Sequence, residues 1–387
     1  MSAETKTILV IGGISRSLVN FRGPLLKAMV HAGHRVVAAS GEPDERAETV
    51  LGEMGVTYVP LPLSRAGLNP VHDAALLWKL VRLMREHRPD VVLAYTIKAV
   101  IYGGLAGRLC RVPERYALVT GLGYALTGGR GFLSRLVHGL YRSALKGCRR
   151  VFFQNPDDPS YFQTHHLVAE ACATRVNGSG VDMDHYASSP VPEEPVFLLI
   201  ARLLGDKGVR EYAEAARAVK ARCPAARFLL VGGLDPNPNG IREDEVQAWR
   251  DIGAIEYLGH LTDVRPVLRE CRVFVLPSFY REGLPRTILE AMASGRPVIT
   301  TDMPGCRETV PLTALGREQQ ARGEPVMEGE NGLLIRPRDA EALTAALAVV
   351  VEQPERVAVW GRRSREIAEE RFDVHKVNRV MLDAMQL

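Results

Sequence analysis

Residues 277–308 read PSFYREGLPRTILEAMASGRPVITTDMPGCRE and describe the end of a strand followed by a helix. The five residues before them, RVFVL, form the kind of continuous apolar run that is typical of a buried parallel strand. Pro285 suits a first helical turn, residues 287–293 favour a helix, and Gly295 followed by Pro297 ends it. A buried strand that leads directly into a helix predicts an α/β protein with a parallel sheet.

The turn between this strand and this helix predicts an anion site. Main-chain N–H groups at a helix start point outward at the carboxyl edge of a sheet, where the helix dipole favours negative charge. The predicted contributors are Gly283, Leu284, Pro285 and Thr287. Glu282 and Glu290 flank the turn, eight positions apart. Two carboxylates beside an anion site indicate a diphosphate with hydroxyl-rich groups on both sides, as in a nucleotide sugar. The spacing alone equally allows a helix cap at Glu282 and a solvated Glu290.

The whole phrase resembles the E-x7-E signature of retaining glycosyltransferases of family 4, in the branch that builds capsule, O-antigen and other lipid-linked polysaccharides. The resemblance implies the GT-B fold, in which two Rossmann-like domains face each other across a cleft. It also implies a UDP-linked sugar donor, with an N-acetylated hexosamine or a related sugar, and a polyprenyl-diphosphate-linked saccharide as acceptor. Glu282 is then expected to be catalytic and donor-binding, and Glu290 donor-binding.

Length and composition agree with two cytoplasmic domains. A chain of 387 residues exceeds what one core usually supports. We find no secretory signal, and no apolar run reaches the ~18 residues that would cross a membrane. The expected location is the cytoplasm, peripheral on the inner face of the cytoplasmic membrane. Six scattered cysteines predict reduced thiols, with neither a disulfide framework nor a metal site.

Residues 187–195, ASSPVPEEP, predict a linker because they are small, polar and rich in proline. We therefore predict an acceptor-side domain over residues 1–187 and a nucleotide-sugar-binding domain over residues 195–371. Residues 372–387 are predicted to be helical, and by analogy with the family they cross back onto the first domain.

The second half opens with a strand, 196–201, whose end delivers Arg202 and Lys207. Two cations at a strand-to-helix turn can bind a diphosphate, although such a pair taken alone favours surface ion pairing. In the family both cations hold the donor diphosphate, so Arg202 and Lys207 join Glu282 as predicted catalytic residues. Gly232 and Leu261 follow the next two strand ends, which in the family enclose the nucleotide base.

The first half also opens with a buried strand, which ends at Gly12 and Gly13. This glycine turn lacks the third glycine of a dinucleotide-binding fingerprint, which disfavours a nicotinamide or flavin site. In the family this glycine turn closes against the donor. Residues 14–21 are predicted to form a loop, and its Arg16 and Asn20 are candidates for the acceptor or, equally, for loop capping.

Lys98 and Thr120 complete the predicted acceptor site. Lys98 follows the strand at residues 90–95, where it can bind an acceptor phosphate or remain an ordinary exposed lysine. Many family members carry a histidine where this chain has Thr120. The exchange argues against a mechanism that needs a histidine base at this position.

The first 185 residues are basic, with 22 Lys or Arg against 15 Asp or Glu, and the remainder is slightly acidic. Residues 130–150, RGFLSRLVHGLYRSALKGCRR, predict a cationic amphipathic helix. Such a helix can lie on an anionic membrane surface, at about 1 kcal/mol for each basic residue near it. Alternatively, it packs its apolar face on the sheet and leaves a solvated basic rim. Nucleic acid is a poor fit, because no aromatic platform accompanies the charge.

The expected chemistry is metal-independent transfer with retention and without a cofactor. Arg202, Lys207 and the helix N–H groups would stabilise the departing diphosphate. In this family retention is attributed to front-face attack by the acceptor hydroxyl, so no protein nucleophile is needed. The one D-x-D pair, at residues 182–184, lies in the wrong half to hold Mg²⁺. The alternatives are a soluble small-molecule glycosyltransferase, a GT-B nucleotide-sugar epimerase and a sugar-nucleotide sensor. Residues 311–330 are predicted to form a long loop, which either covers the donor or mediates a contact.

Overall fold

The computed structural model describes residues 4–41, 43–63, 69–123, 126 and 131–387. The chain forms two compact units, one of Met1–Gly180 with Val374–Leu387 and one of Val181–Asp373. Each unit is a seven-stranded sheet with helices packed on both faces. This architecture confirms the predicted fold class, α/β with two Rossmann-like domains.

The first sheet has the strand order β3-β2-β1-β4-β5-β6-β7, with every neighbouring pair parallel. Its strands are β1 Thr7–Ile14, β2 Arg35–Gly41, β3 Val56–Leu61, β4 Val91–Tyr95, β5 Glu114–Val119, β6 Arg150–Phe153 and β7 Ala173–Arg175. Its helices are α1 Ser15–Asn20, α2 Gly23–His31, α3 Glu45–Glu53, α4 Pro70–His87, α5 Ile97–Leu109, α6 Phe132–Leu145, α7 Asp157–Thr164 and the late α15 Val374–Met385. Strand β1 is apolar throughout because its alternate side chains enter two cores, Leu9 and Ile11 on one face, Ile8 and Val10 on the other.

The second sheet has the order β10-β9-β8-β11-β12-β14-β13, parallel except for the last pair. Its strands are β8 Val196–Ile200, β9 Arg227–Val231, β10 Glu256–Tyr257, β11 Val273–Leu276, β12 Val298–Thr301, β13 Val326–Gly329 and β14 Gly332–Ile335. Its helices are α8 Val209–Arg222, α9 Glu243–Asp251, α10 Arg265–Glu270, α11 Arg286–Ala293, α12 Ala314–Ala321, α13 Ala340–Glu352 and α14 Pro354–Ile367. A π-helical turn, Ala368–Phe372, follows α14.

The segment predicted as a linker, residues 187–195, lies within the second unit. Arg296 is fully buried there and donates hydrogen bonds to the carbonyl oxygens of Ser189 and Pro190, at 3.1 and 3.0 Å. Arg365 donates to the carbonyl oxygen of Tyr186 in the same way, at 3.1 Å. These two guanidinium groups therefore fasten the segment to the second unit, and the first unit's main body ends at Gly180.

The chain leaves the first unit and returns to it at one place. A Cβ at Gly180 would lie 2.5 Å from the Cα of Val374, so only glycine permits this approach. Helix α15 then packs on the first sheet, where Met381 and Met385 are fully buried in the same cluster as Leu26 of α2. The last helix is thus part of the first unit's core.

Two segments predicted to be loops contain regular structure. Residues 15–20, within the predicted loop 14–21, form α1, because Leu18 is fully buried and the Ser17 hydroxyl bonds the Ile14 carbonyl oxygen at 2.7 Å. The predicted loop over residues 311–330 contains α12 and β13, and β13 pairs antiparallel with β14. Burial of Met327 anchors this added edge strand. Both predictions were wrong because tertiary burial outweighed a mostly polar local sequence.

Candidate active site

The carboxyl edge of the second sheet brings two of the predicted catalytic residues together. Lys207 lies in a 3-10 turn after β8, and Glu282 follows the neighbouring strand β11. The Lys207 Nζ donates to Glu282 Oε1 at 2.5 Å, and both side chains are mostly buried. The Ser278 hydroxyl donates to the same carboxylate oxygen at 2.9 Å. A lysine and a serine thus fix the orientation of Glu282.

The main chain around Asp206 joins these two loops. Its carbonyl oxygen accepts hydrogen bonds from the N–H groups of Phe279 and Tyr280, at 2.9 and 3.1 Å, and from the Ser278 hydroxyl at 3.3 Å. Gly208, two residues further along the chain, has φ +74°, and a Cβ there would lie 2.2 Å from the Pro277 carbonyl oxygen. The turn that presents Lys207 can therefore approach the end of β11 only with glycine at this position.

Arg202 pairs with Asp235, a residue that the sequence pattern did not predict for the site. Its Nη1 lies 3.0 Å from Asp235 Oδ2, and about half of the arginine side chain is exposed. Asn239, a little further along, donates to Asp206 Oδ1 at 2.7 Å, and its carbonyl oxygen accepts from the Gly205 N–H at 2.8 Å. The segment 235–239 follows β9, which neighbours β8 in the sheet. It therefore positions both predicted diphosphate-binding cations.

Helix α11 begins where the sequence predicts the anion site. Pro285 is its N-cap, and the N–H groups of Leu284 and Thr287 make no hydrogen bond with another described residue. Glu290, one turn further along, is buried and accepts from Arg286 Nε at 3.1 Å. Burial raises the pKa of the Glu290 carboxyl, and the nearby Arg286 and Tyr186 only partly oppose this. The open alternative of a solvated Glu290 is therefore wrong.

The remaining predicted donor residues lie at the ends of β9 and β10. Gly232 has φ +156°, and a Cβ there would lie 1.8 Å from the Ala201 carbonyl oxygen. The Tyr257 hydroxyl donates to the Gly232 carbonyl oxygen at 2.8 Å. Leu261 is half-buried and packs against the core on one face of the sheet. Both residues thus follow strands that lie on the side of β8 away from β11.

The buried thiol behind Lys207 and Glu282 is not suited to nucleophilic chemistry. Cys306 is fully buried, and this burial raises the pKa of its thiol to about 12. Its neighbours Thr300 and Thr301 and the ammonium of Lys207 oppose the shift without reversing it. The thiol therefore stays protonated at neutral pH.

In the first unit, the glycine turn predicted at Gly12 and Gly13 is absent, because β1 continues to Ile14 and leads directly into α1, and the two glycines pack closely against the end of β4. A Cβ at Gly12 would lie 2.3 Å from the Tyr95 hydroxyl oxygen, and one at Gly13 would lie 2.9 Å from Thr96 Oγ1. Thr96 has φ +72°, a conformation rare for a β-branched residue. Backbone strain of this kind persists only where the surrounding packing holds the residue in place, as the contact with Gly13 does here.

The predicted acceptor residues lie on the same edge, after neighbouring strands. Lys98 is mostly buried and its Nζ lies 3.0 Å from Asp73 Oδ1 of α4, so it is not the exposed lysine of the alternative prediction. Thr120 is half-buried directly after β5, while Arg16 and Asn20 are exposed on α1. The strand order places the ends of β1, β4 and β5 side by side. The first unit therefore collects these four residues at one edge.

In the described part of the chain, no three His, Cys, Asp or Glu residues are grouped to hold a metal ion. Asp182, the first member of the D-x-D pair, instead closes a turn, since its Oδ1 accepts from the N–H groups of Asp184 and His185 at 3.0 and 2.9 Å. None of the helices in the described ranges is long and apolar enough to cross a membrane.

Comparison with known proteins identifies this arrangement. A model of the family described as "Glycosyl transferases group 1" matches residues 194–353, and one described as "Glycosyl transferase 4-like domain" matches residues 20–178. The N,N'-diacetylbacillosaminyl-diphospho-undecaprenol alpha-1,3-N-acetylgalactosaminyltransferase of Campylobacter jejuni is 30% identical over 311 residues, which cover 76% of this chain and 80% of the relative. The chain belongs to the group 1 glycosyltransferases.

This glycosyltransferase has further relatives with related descriptions. The UDP-Gal:alpha-D-GlcNAc-diphosphoundecaprenol alpha-1,3-galactosyltransferase of Escherichia coli is 25% identical over 261 residues, covering 63% of this chain and 66% of the relative. The crystal structure of Anabaena Alr3699/HepE in complex with UDP and glucose superposes with a TM-score of 0.76 at 19% identity, covering 98% and 99% of the two chains. The structural likeness confirms the GT-B fold of this glycosyltransferase.

Proposed function

We propose that this glycosyltransferase moves a sugar from a UDP-sugar to a polyprenyl-diphosphate-linked saccharide, with retention of configuration, in the assembly of a surface polysaccharide. The observation that carries the proposal is the pairing of Lys207 with Glu282 after two neighbouring strands, beside the start of α11. Two relatives named for diphosphoundecaprenol-linked saccharides support the acceptor class. Complexes of Alr3699/HepE with UDP, and with UDP and glucose, support the nucleotide.

The donor diphosphate fits the cations of the second unit. Arg202 and Lys207 supply two positive charges, and the N–H groups of Leu284 and Thr287 supply donors that have no partner among the described residues. Negative charge grows on the diphosphate as the bond to the sugar breaks, so donors that are already in place lower the barrier. Because Lys207 now contacts Glu282, the bound donor is expected to share this lysine with the carboxylate.

Glu282 and Glu290 fit the hydroxyl groups on either side of that diphosphate. Glu282 is held in place by Lys207 and Ser278, which both bind one of its carboxylate oxygens. We assign it to the transferred sugar. Glu290 is assigned to the ribose, with Gly232 and Leu261 beside the base. We infer an N-acetylated hexosamine as the transferred sugar, and the name of the Campylobacter jejuni relative supports this.

The acceptor is assigned to the first unit. Lys98 would bind a phosphate of the acceptor, exchanging Asp73 for it, while Arg16, Asn20 and Thr120 would contact its saccharide. Gly12 and Gly13 are assigned to the donor, at the end of β1 where their missing side chains let Tyr95 and Thr96 pack against the backbone. The basic helix predicted over residues 130–150 would contact an anionic membrane, so that the enzyme would lie on the inner face of the cytoplasmic membrane. Its first residue, Arg130, lies outside the described residues.

The transfer is proposed to need neither a metal ion nor a cofactor. The charge that a divalent cation would neutralise is met by Arg202, Lys207 and the start of α11. Front-face attack by the acceptor hydroxyl passes its proton to the departing phosphate, so that the bond to the sugar is replaced and UDP leaves. No group of the protein has to form a covalent intermediate in this scheme.

Incubation of the purified protein with UDP-N-acetylgalactosamine, other UDP- and GDP-sugars and an undecaprenyl-diphosphate-linked saccharide tests the proposal. We expect UDP release that depends on both substrates, an α-linked product by NMR, and full activity in EDTA. Transfer that stops in EDTA and returns with Mn²⁺ would overturn the metal-independent scheme. Conversion of the donor without acceptor would favour an epimerase, and transfer only to soluble sugars would favour the small-molecule alternative.

A further inference from the structure

Three neighbouring helices of the first unit expose apolar side chains on one outer face. Helices α4, α5 and α6 bury residues in the same hydrophobic cluster, and α5 packs against both of the others. Outside that cluster, Val71 is 74% and Trp78 61% exposed on α4, and Leu109 is 65% exposed at the end of α5. An exposed tryptophan with two large aliphatic neighbours on one helix layer indicates an interaction surface.

Helix α4 shows the clearest separation of faces. Val71, Trp78, Arg82 and Arg85 recur at intervals of seven, four and three residues, so they share one face of the helix. All four are exposed, whereas Leu76 and other residues of the opposite face are buried. The Arg82 guanidinium lies 5.9 Å from the centre of the Trp78 ring. The face is therefore amphipathic along its length, with an apolar start and a cationic end.

The same surface continues onto the end of α5. The Cys110 thiol at the end of α5 donates to the carbonyl oxygen of Val81 on α4 at 3.7 Å; burial raises the pKa of this thiol, and Arg85 of α4 lies near enough to oppose the shift. Leu109 precedes that cysteine. We define the α4 surface as Val71, Trp78, Arg82, Arg85 and Leu109.

The charges around the α4 surface are almost all positive. Exposed cations on α4–α6 and the residues that come after them are Lys79, Arg82, Arg85, Arg88, Arg108, Arg111, Arg135, Arg142 and Lys146. On α4 itself the exposed carboxylate is Glu86, since Asp73 is buried against Lys98. This balance fits a partner with a dense, negatively charged surface.

Helix α6 alone offers little apolar area for such a partner. Its residues Val137, Tyr141 and Leu145 are buried in the core, which leaves Leu136 as an exposed apolar side chain among those described on this helix. The structure places this helix over Phe132–Leu145 and not over the predicted residues 130–150, since Arg150 begins β6. The helix keeps a basic rim, but most of its described apolar face packs on the sheet. The α4 surface supplies the apolar contact that this rim lacks.

We propose that the α4 surface lies on an anionic phospholipid bilayer. Trp78 and Val71 enter the boundary between headgroups and acyl chains, where tryptophan is enriched, and Arg82 and Arg85 reach the lipid phosphates. Val71 lies in the same helical turn as Asp73, which binds Lys98. Asp73 is on the buried side of that turn, so the surface and Lys98 lie on opposite sides of the start of α4, and a lipid-linked acceptor whose chain stays in the membrane would have to pass this end of the helix to reach Lys98. The location of the acceptor rests on the proposed function, whereas the surface itself does not.

Flotation of the full-length protein with vesicles tests the proposal. Phosphatidylcholine vesicles with phosphatidylglycerol are expected to bind the protein, and phosphatidylcholine alone to bind it much more weakly. Trp78→Ser with Arg82→Glu should weaken binding to the anionic vesicles by about thirtyfold or more, because two units of charge change and each is worth about 1 kcal/mol at the surface. Brominated lipids should also quench wild-type fluorescence more than that of Trp78→Phe.

The matched control is Val380→Ser with Arg379→Glu on α15. This pair is also exposed and loses one apolar side chain and two units of charge, but α15 packs into the cluster on the other face of the first sheet. Binding of this variant should equal that of the wild type. Circular dichroism and melting temperature of both variants show whether either has lost its fold.

Three results would overturn the proposal. In the first, the α4 variant binds as the wild type does while Arg135→Glu with Lys146→Glu abolishes binding, so that α6 carries the contact. In the second, the two variant pairs on α4 and α15 lose binding equally. In the third, the wild type does not bind vesicles and forms a dimer that Trp78→Ser dissociates, so that a second copy of the chain covers the surface. Transfer to a water-soluble acceptor analogue is measured in parallel. Transfer activity without vesicle binding would contradict the membrane surface and leave the proposed function standing. Vesicle binding without transfer activity would contradict the proposed function and leave the membrane surface standing.

Discussion

The two units share a strand order but differ in the side chains that stand at the ends of their strands. Both sheets are built as 3-2-1-4-5, since β3-β2-β1-β4-β5 in the first corresponds to β10-β9-β8-β11-β12 in the second. After the central strands of the second sheet stand ion pairs, Lys207 with Glu282 and Arg202 with Asp235. In the first sheet, two glycines within the last residues of β1 pack on Tyr95 and Thr96.

The difference teaches that one scaffold carries two kinds of site. In the second unit, charged side chains from separate loops meet at the sheet edge and hold one another in place before any ligand binds. In the first unit, two glycines let neighbouring side chains pack directly on the backbone of the edge, and the mostly buried ion pair of Lys98 with Asp73 joins the sheet to α4. Sites of this kind are set by loop residues and not by the fold itself.

The contrast between the two units fails if the Lys207–Glu282 ion pair of the second unit is not essential for transfer. Lys207→Ala is expected to lower kcat/KM for transfer by about 10²–10³, because a cation aimed at the leaving diphosphate is lost. Steady-state assays with the UDP-sugar measure this. The same substitution at Lys220, which donates to the Gly253 carbonyl oxygen far along α8, should leave kcat/KM within about twofold. Equal losses in both variants would refute the assignment.

Lys98→Met tests the corresponding ion pair of the first unit. We expect the KM for the lipid-linked acceptor to rise by about tenfold, the effect of one charge-assisted contact, while the KM for the donor stays the same. Lys27→Met, an exposed lysine on α2, serves as the control. A rise in donor KM instead would place donor contacts in the first unit and remove the contrast between the two edges.

Asp235→Asn sharpens the comparison within the second unit. Asp235 occupies Arg202 before the diphosphate arrives, so its removal should lower the donor KM by up to about fivefold, the limit for a half-exposed ion pair, with little change in kcat. Asp263→Asn breaks a similar pair with Arg265 and should change neither constant. A fall in kcat with Asp235→Asn would mean that Asp235 positions Arg202 for chemistry rather than competing with the donor.

The smallest expected effect concerns stability. Burial raises the folded-state pKa of Glu290, so this acid binds its proton more readily folded than unfolded, and the fold loses stability as pH rises past the unfolded value. Glu290→Gln should therefore melt above the wild type at neutral pH, and the difference should vanish below about pH 4, where both states of Glu290 are protonated.

Glu245→Gln is expected to change the melting temperature in the opposite direction to Glu290→Gln. A hydrogen bond from Arg210 lowers the pKa of Glu245, so its charge stabilises the fold above the unfolded value and this contribution is lost as the pH falls. The variant should melt below the wild type at neutral pH and approach it in acid. Thermal melts across pH 4 to 8 measure both variants, and the same sign for the two would contradict the burial argument.

The sequence alone predicts those secondary-structure elements whose faces are both buried. The run at residues 272–276 and the helix at residues 287–293 could be predicted because a fully buried strand is apolar throughout and a helix start needs particular residues. Helix α1 could not, since its Ser and Asn residues favour loops and its stability comes from Leu18 in the core. The pairing of β13 with β14 likewise depends on contacts that a local pattern does not contain.

The candidate site shows the same limit. Its strand-end positions could be derived from the rule that carboxyl ends of parallel strands gather at one edge. The partner of each cation could not, because Lys207 and Glu282 are 75 positions apart and Arg202 and Asp235 are 33 apart. Asp235 and Asn239 could have been suspected from their place just after β9, but nothing in their spacing shows that they bind Arg202 and Asp206 rather than solvent.

The meeting of Gly180 with Val374 bears on the order in which the protein is made. The second unit is one unbroken stretch of chain and can fold as it leaves the ribosome, whereas the first must wait for α15, whose Met381 and Met385 complete its core. During synthesis the first unit therefore carries an uncovered apolar patch beside Leu26, and it closes only after its neighbour has been translated. A nascent chain stalled before residue 374 is expected to bind chaperones through that patch, and to release them once α15 emerges.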